Sequence, residues 1–150
     1  KMKIYIESSV PNFLFHEDSP DKQKITKIFF KEKLTHHKGF VSDLVLDELE
    51  KTPEPKRTKL KNAVVEHKLT ALKLTKEARI LADKYIQEEI IPKKYSTDAL
   101  HIAIAVVNGM DVLVSWNMEH IVKLKTMKGV NEINKKSHYP YIFINTPEEV

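Results

Sequence analysis

Five short apolar runs rich in β-forming residues, "KIYI", "GFVS", "LTALKLT", "DVLVS" and "YIFIN", alternate with stretches of helical periodicity along the chain. Strands separated by helices can join one sheet through crossover connections, so the alternation favours a parallel sheet with helices covering both faces. The runs "KIYI" and "DVLVS" are short and continuously apolar and read as buried strands, whereas "LTALKLT" alternates and reads as an edge strand. In such a sheet, sites form outside the carboxyl ends of the strands, near the point where the strand order reverses. The residues directly after each strand are therefore the ones to weigh.

Between the strands, "VPNFLFH" reads as a short helix. Ser19-Pro20-Asp21 is a helix start, with a capping serine and a proline in the first turn, and that helix runs to "HHKG" near residue 38. Ser42 should cap "DLVLDELEKT", which stops before Pro53. A fourth helix falls in "PEPKRTKLKNAVVEHK" and a fifth in "TKEARILADKYIQEEI", closed by "IPKK". Ser96 or Thr97 should cap the next, which Asn108-Gly109 ends, and residues 118–136 are expected to be largely helical around Gly129. No repeat, linker or low-complexity segment interrupts the pattern, so residues 1–150 are expected to form a single domain, long enough to bury about two-thirds of its unfolded surface.

Cysteine is absent, which excludes disulfides, thiolate zinc sites and cysteine nucleophiles and suits a reducing compartment; cytoplasmic localisation is the expectation. Lys1 ahead of Met2 reads as a residue left over from expression. The first residues lack the pattern of a signal peptide, and no apolar run reaches the ~18 residues of a membrane span, so no membrane partner is expected. The net charge is +4, with lysines gathered in "DKQKITKIFFKEK", "PKRTKLK" and "KLKTMKG". A modest basic surface suits a polyanion, although lysine runs on helices are also the ordinary solvated face.

The acids carry more of the argument. Glu7 directly follows the first strand and so lies at the functional edge, unless it is only a turn acid. On the third helix Leu44, Val45, Leu46 and Leu49 define the apolar face, and Glu48 is the acid nearest to it, while Asp43, Asp47 and Glu50 should face solvent. The alternative for Glu48 is a boundary glutamate that snorkels to water. Asp98 lies in the first turn of its helix, where the macrodipole alone would stabilise a carboxylate by roughly 0.3 to 1 kcal/mol. His101, one turn on in an otherwise apolar helix, is either a hydrogen-bonded core histidine or part of a site with Asp98. Asn117 follows "DVLVSW" at its carboxyl end, level with Glu7; Asp111 begins that strand and is expected to be structural.

Glu7, Glu48 and Asp98, with Asn117 nearby, should thus converge on one end of the sheet from four separate segments. Crowded carboxylates repel, and a divalent cation is the usual remedy. Oxygen ligands without cysteine favour magnesium or manganese, which keep waters and engage phosphate groups. The chemistry this implies is phosphodiester hydrolysis.

The segments "IYIESS", "VSDLVLDELEK" and "DALHIAIAVVNGMDVLVSWNMEHIV" resemble a PIN-domain protein of the VapC-like toxin type, over nearly the whole chain. The resemblance implies a three-layer α/β/α sandwich with a central, mainly parallel five-stranded sheet. It also implies metal-dependent ribonuclease activity with one or two Mg2+ or Mn2+ ions on Glu7, Glu48 and Asp98. A homodimer and, in toxin members, a small antitoxin protein are the implied partners. Two positions depart from the family pattern: its first aspartate is Glu7 here, and its fourth acid is Asn117, which lowers the negative charge of the site.

The expectation is therefore an Mg/Mn-dependent endoribonuclease, the toxin of a toxin-antitoxin pair. Glu7, Glu48 and Asp98 would be both catalytic and metal-ligating, with Ser9, His101 and Asn117 supporting them or touching substrate. Lys22, Lys56, Arg57 and Lys59 would hold the RNA backbone, and Trp116 or Tyr95 would stack a base of single-stranded RNA. The rival is a catalytically weak PIN-like module that binds RNA or a partner. A small phosphorylated ligand at the same edge fits less well, because the chain has only three glycines and no glycine-rich phosphate loop.

Overall fold

The computed structural model describes residues 1–150. Strands β1 (Lys3–Ile6), β2 (Lys38–Ser42), β3 (Thr70–Leu72), β4 (Val112–Val114) and β5 (Phe143–Asn145) form one sheet in the order β3-β2-β1-β4-β5, with every neighbouring pair parallel. Five strands arise where the sequence predicts them, and the strand order reverses between β1 and β4. Tyr5 of β1 lies opposite Phe40 on one side and Leu113 on the other. Asp111 accepts a hydrogen bond from the Lys3 backbone N–H at 2.8 Å, so it pins the start of β1 at the edge opposite the acids, the structural role expected for it.

Seven helices cover the sheet: α1 (Ser9–Leu14), α2 (Pro20–Ile28), α3 (Asp43–Glu50), α4 (Lys56–Glu66), α5 (Lys76–Gln87), α6 (Ser96–Val107) and α7 (Leu124–Lys136). Parallel crossovers are right-handed, so stepping from β1 to β3 places α1 to α4 on one face, and stepping back through β4 to β5 places α5 to α7 on the other. The packing follows this division, with α5 against α6 and α7, and α4 against α1 and α3. The result is the three-layer α/β/α sandwich with a parallel central sheet. Ile4, Tyr5 and Ile6 of the central strand are fully buried, with alternate side chains serving the two layers. On α7 the buried Asn131 stands in for a strand: its amide donates to Ile142 O and accepts from Ile142 N, both at 2.9 Å, which sets the approach to β5.

Helix ends show what local chemistry decides. Ser42 caps α3 and Thr75 caps α5, each accepting from the N–H three residues on, at 3.4 and 3.2 Å. Ser19 does not cap α2 as expected. Its side chain makes no capping bond, and only its carbonyl serves the first turn, accepting from Gln23 N at 2.9 Å. Neither Ser96 nor Thr97 caps α6: a 3-10 turn over Lys93–Tyr95 runs straight into the helix, so both residues already lie inside it. After Ile28 the helix widens into a π-helical turn over Phe29–Lys33, which buries both Phe29 and Phe30.

The segment 118–123 is a turn and not the start of α7. The Asn117 carbonyl accepts from Ile121 N and Val122 N, and its side-chain oxygen accepts from His120 N at 3.0 Å, so local bonds replace the helical ladder. No helix is long and apolar enough to cross a membrane. Urea unfolding should show Thr75→Ala destabilised by about 1 kcal/mol. Ser19→Ala, whose side chain caps nothing, should stay within about 0.5 kcal/mol of the parent.

Candidate functional site

Glu7 leaves the carboxyl end of β1 while its backbone N–H still donates to Val114 O at 3.1 Å, which holds it at the point where the strand order reverses. Its side chain is buried. Oε1 accepts from Ser9 Oγ at 2.6 Å and from Ser115 Oγ at 2.5 Å, and Oε2 accepts from Ser9 N at 3.2 Å. The two serines are held in turn by the next loop, since Trp116 N donates to Ser9 Oγ and Asn117 N to Ser115 Oγ, at 2.8 and 2.9 Å. Two hydroxyls and a backbone dipole thus compensate the carboxylate without any cation from the protein.

Asp98 is half-buried in the first turn of α6. Burial raises its carboxyl above the ordinary aspartate range, and the negative charge of Glu7 raises it further; His101, His120 and the Asn117 amide pull the other way. Because the Asn117 side-chain oxygen is engaged by His120 N, the NH2 end of its amide is the end left for Asp98. The His120 ring stacks on Tyr95 with centroids 3.6 Å apart.

Glu48, on α3, is joined to Asp98's helix through His101. Glu48 Oε1 lies 3.0 Å from His101 Nε2, His101 Nδ1 lies 2.7 Å from the Tyr5 hydroxyl, and that hydroxyl lies 2.6 Å from Ser42 Oγ. One assignment of protons satisfies every group: Ser42 donates to Tyr5, Tyr5 to Nδ1, and Nε2–H to Glu48, while Ser42 Oγ accepts from Val45 N. Burial opposes charge on Glu48, but the hydrogen bond from His101, helped by Ser8 and the charge of Lys51, outweighs it, and its carboxyl lies below the ordinary range. Burial raises the Tyr5 phenol well above the ordinary tyrosine range. Glu48 is not turned fully inward as the helical pattern suggests. Its side chain is 43% exposed, so it sits at the boundary and reaches the core only through His101.

The oxygen-rich donor set suits a hard cation, with a restriction. No three histidine, aspartate or glutamate side chains stand close enough together to close on one ion. A magnesium-like ion that keeps several waters and binds through one or two carboxylates fits this arrangement, whereas a cage of protein ligands does not. The buried Ser8 hydroxyl has no partner of full hydrogen-bond geometry, but it lies close enough to Glu48 to favour the charge of that carboxylate.

The fold therefore gathers Glu7, Ser9, Glu48, Asp98, His101 and Asn117 at one edge. Lys22 is near, its ammonium 5.5 Å from the centre of the Trp116 ring. Lys56, Arg57 and Lys59 are on α4, and no hydrogen bond or ion pair joins them to the acids; Arg57 pairs with Glu54 and Lys59 lines a cleft with Leu14 and Phe15. Sequence reasoning missed Tyr5, Ser115 and His120. Tyr5 is a polar tip on the apolar strand β1 and Ser115 the first residue after β4, signals that were present, whereas His120 reaches the site only through the turn at Asn117.

A parallel sheet of this order between two helical layers, with acids at its reversal point, defines a PIN-like α/β/α fold. Among solved structures the chain resembles a chain of VapBC2 from Rickettsia felis, crystallised bound to a DNA fragment from their promoter, with a TM-score of 0.59 and 12% sequence identity. The match covers 97% of this chain and 98% of that one, and it is a likeness of fold. No family model and no curated protein sequence matches. In an NMR titration, Asp98 should lose its proton at a higher pH than an ordinary aspartate, and Glu7→Gln should move that transition to lower pH by removing the facing charge.

Proposed function

We propose that the chain is a metal-dependent ribonuclease that hydrolyses RNA phosphodiester bonds at the edge holding Glu7, Glu48 and Asp98. The observation that carries this reading is the pairing of Glu7 with a half-buried Asp98 whose charge is disfavoured, placed where parallel sheets form their sites. Glu7 and Asp98 are the residues that would hold one or two Mg2+ or Mn2+ ions. When bound, a divalent ion supplies neutralisation of phosphoryl oxygens and a more acidic water. Asn117 would steady Asp98, and Glu48, oriented by His101, would accept a proton from the attacking water. Ser9 and Ser115 keep Glu7 in place, and Lys22 would meet the RNA backbone.

The fold likeness to a chain of VapBC2 supports placing this activity in a toxin paired with a small antitoxin protein, and a homodimer belongs to the same proposal. The spread of the acids, with no three closing on one point, favours a second reading: a PIN-like module that binds RNA or a partner without cutting.

Incubation of a mixed RNA pool with purified protein in manganese, magnesium or chelator separates the two. Cleavage should require metal and fall as salt rises, and should disappear in Asp98→Asn and Glu48→Gln variants that remain folded by circular dichroism. His101→Ala should lower cleavage by about 100-fold, because Glu48 loses the partner that orients it to accept the proton. If wild type and both carboxylate variants behave alike while folded, the binding-module reading replaces catalysis.

A further inference from the structure

Helix α7 and the residue before it carry five lysines, Lys123, Lys125, Lys128, Lys135 and Lys136, against one acid, Glu132. Their balance of +4 equals the net charge of the whole chain, so the remaining residues are neutral in sum. The helix starts beside the acids, where the turn at Asn117 delivers the chain into it, and its 13 residues rise about 20 Å towards the opposite edge of the sheet. There the chain turns back through Tyr139 to enter β5. A cleft of about 430 Å³ opens between the two segments, lined by Lys128, Asn131, Glu132, Lys135, Tyr139 and Tyr141.

Two rings stand open at this end. Burial alternates on entry to β5: Ile142 and Ile144 are buried, whereas Tyr141 and Phe143 are 53% and 54% exposed. Their rings meet edge-on with centroids 5.0 Å apart. The Tyr139 ring beside them is tied down, its hydroxyl donating to Glu77 Oε2 at 2.7 Å. Asn131 occupies both the N–H and the C=O of Ile142, so the strand edge is sealed at that residue against an added strand from a peptide or a second copy. Lysine is depleted in protein interfaces, whereas lysines interleaved with aromatic rings suit a single nucleic-acid strand, whose phosphates and base faces they meet together. In the cleft the lysines outnumber the glutamate two to one.

We propose that Tyr141 and Phe143, with Lys128 and Lys135, form a second contact for single-stranded RNA at the end of α7 remote from the acids. This rests on the RNA reading above and adds a substrate class to it: strands long enough to run the ~20 Å of α7, with unpaired bases at the far end. The exposed Lys123, Lys125 and Lys128 mark the path between the two contacts. A base stacked on either ring contributes about tenfold or more in affinity, with little regard to sequence.

The test compares unstructured RNAs of about 12 and about 4 nucleotides, of which the longer spans both contacts. Affinity for the longer RNA is read by anisotropy in chelator, with Asp98→Asn as the parent. Tyr141→Ala and Phe143→Ala, at exposed positions and checked for folding by circular dichroism, should each weaken it about 10-fold, and Tyr141→Phe, which keeps the ring, should match the parent. Replacing Lys128 and Lys135 together by glutamine should flatten the salt dependence of log Kd by about 1.4, at ~0.7 per phosphate. In manganese with Asp98 intact, Tyr141→Ala should raise KM for the longer RNA about 10-fold while kcat, and cleavage of the shorter RNA, stay unchanged. Unchanged affinity in both folded alanine variants overturns the inference and leaves the nuclease standing if cleavage persists. An equal loss on a duplex of the same length also overturns it, since paired bases cannot stack on the ring. Self-association that Tyr141→Ala abolishes, with RNA affinity unchanged, assigns the patch to a second copy and overturns it likewise. Binding that depends on Tyr141 in a protein that never cuts sinks the nuclease and leaves this contact, and no RNA binding by any form sinks both.

Discussion

A phenol buried in the middle of the sheet must be hydrogen-bonded, and the rest of the site is arranged around that requirement. Tyr5 is fully buried in β1, and an unpartnered hydroxyl there would cost roughly 1–3 kcal/mol. Its partners are Ser42, at the end of β2, and His101, on α6. His101 then reaches Glu48 on α3, and Ser42 caps α3 itself. One buried polar chain therefore ties the central strand, its neighbour and helices from both layers, which explains why an apolar helix tolerates a histidine. Such a chain stabilises only when every member is satisfied, and here one proton assignment satisfies all of them.

The acids at the same edge are treated unequally. Glu7 is buried but compensated by two hydroxyls and a backbone N–H, and Glu48 is half in solvent and paired with His101. Asp98 is the one whose charge the surroundings disfavour, through burial first and Glu7 second. The unmet electrostatic demand at the reversal point of the sheet therefore falls on Asp98.

Much of the fold was legible because its signals are local. Short β-rich runs, proline and glycine stops, and helical periodicity marked all five strands and every helix, and end-of-strand position alone singled out Glu7 and Asn117. The misjudged helix ends failed for physical reasons. A serine next to a helix caps it only if its own backbone is outside the helix, which Ser96 is not, and the bonds made by Asn117 remove residues 118–123 from α7.

The side chains that complete the site were less legible, since their roles depend on neighbours distant in the chain. Ser115 meets Glu7 across 108 positions, and His101 meets Tyr5 across 96. By itself the sequence determined a parallel sheet between helices and the edge where its acids gather, because strand and helix periodicity and the crossover rule act on contiguous residues. Only the tertiary structure decided which acid is compensated, which is left wanting a counter-charge, and that two exposed rings stand at the far end of α7, because burial and charge at a point are sums over segments that only folding brings together.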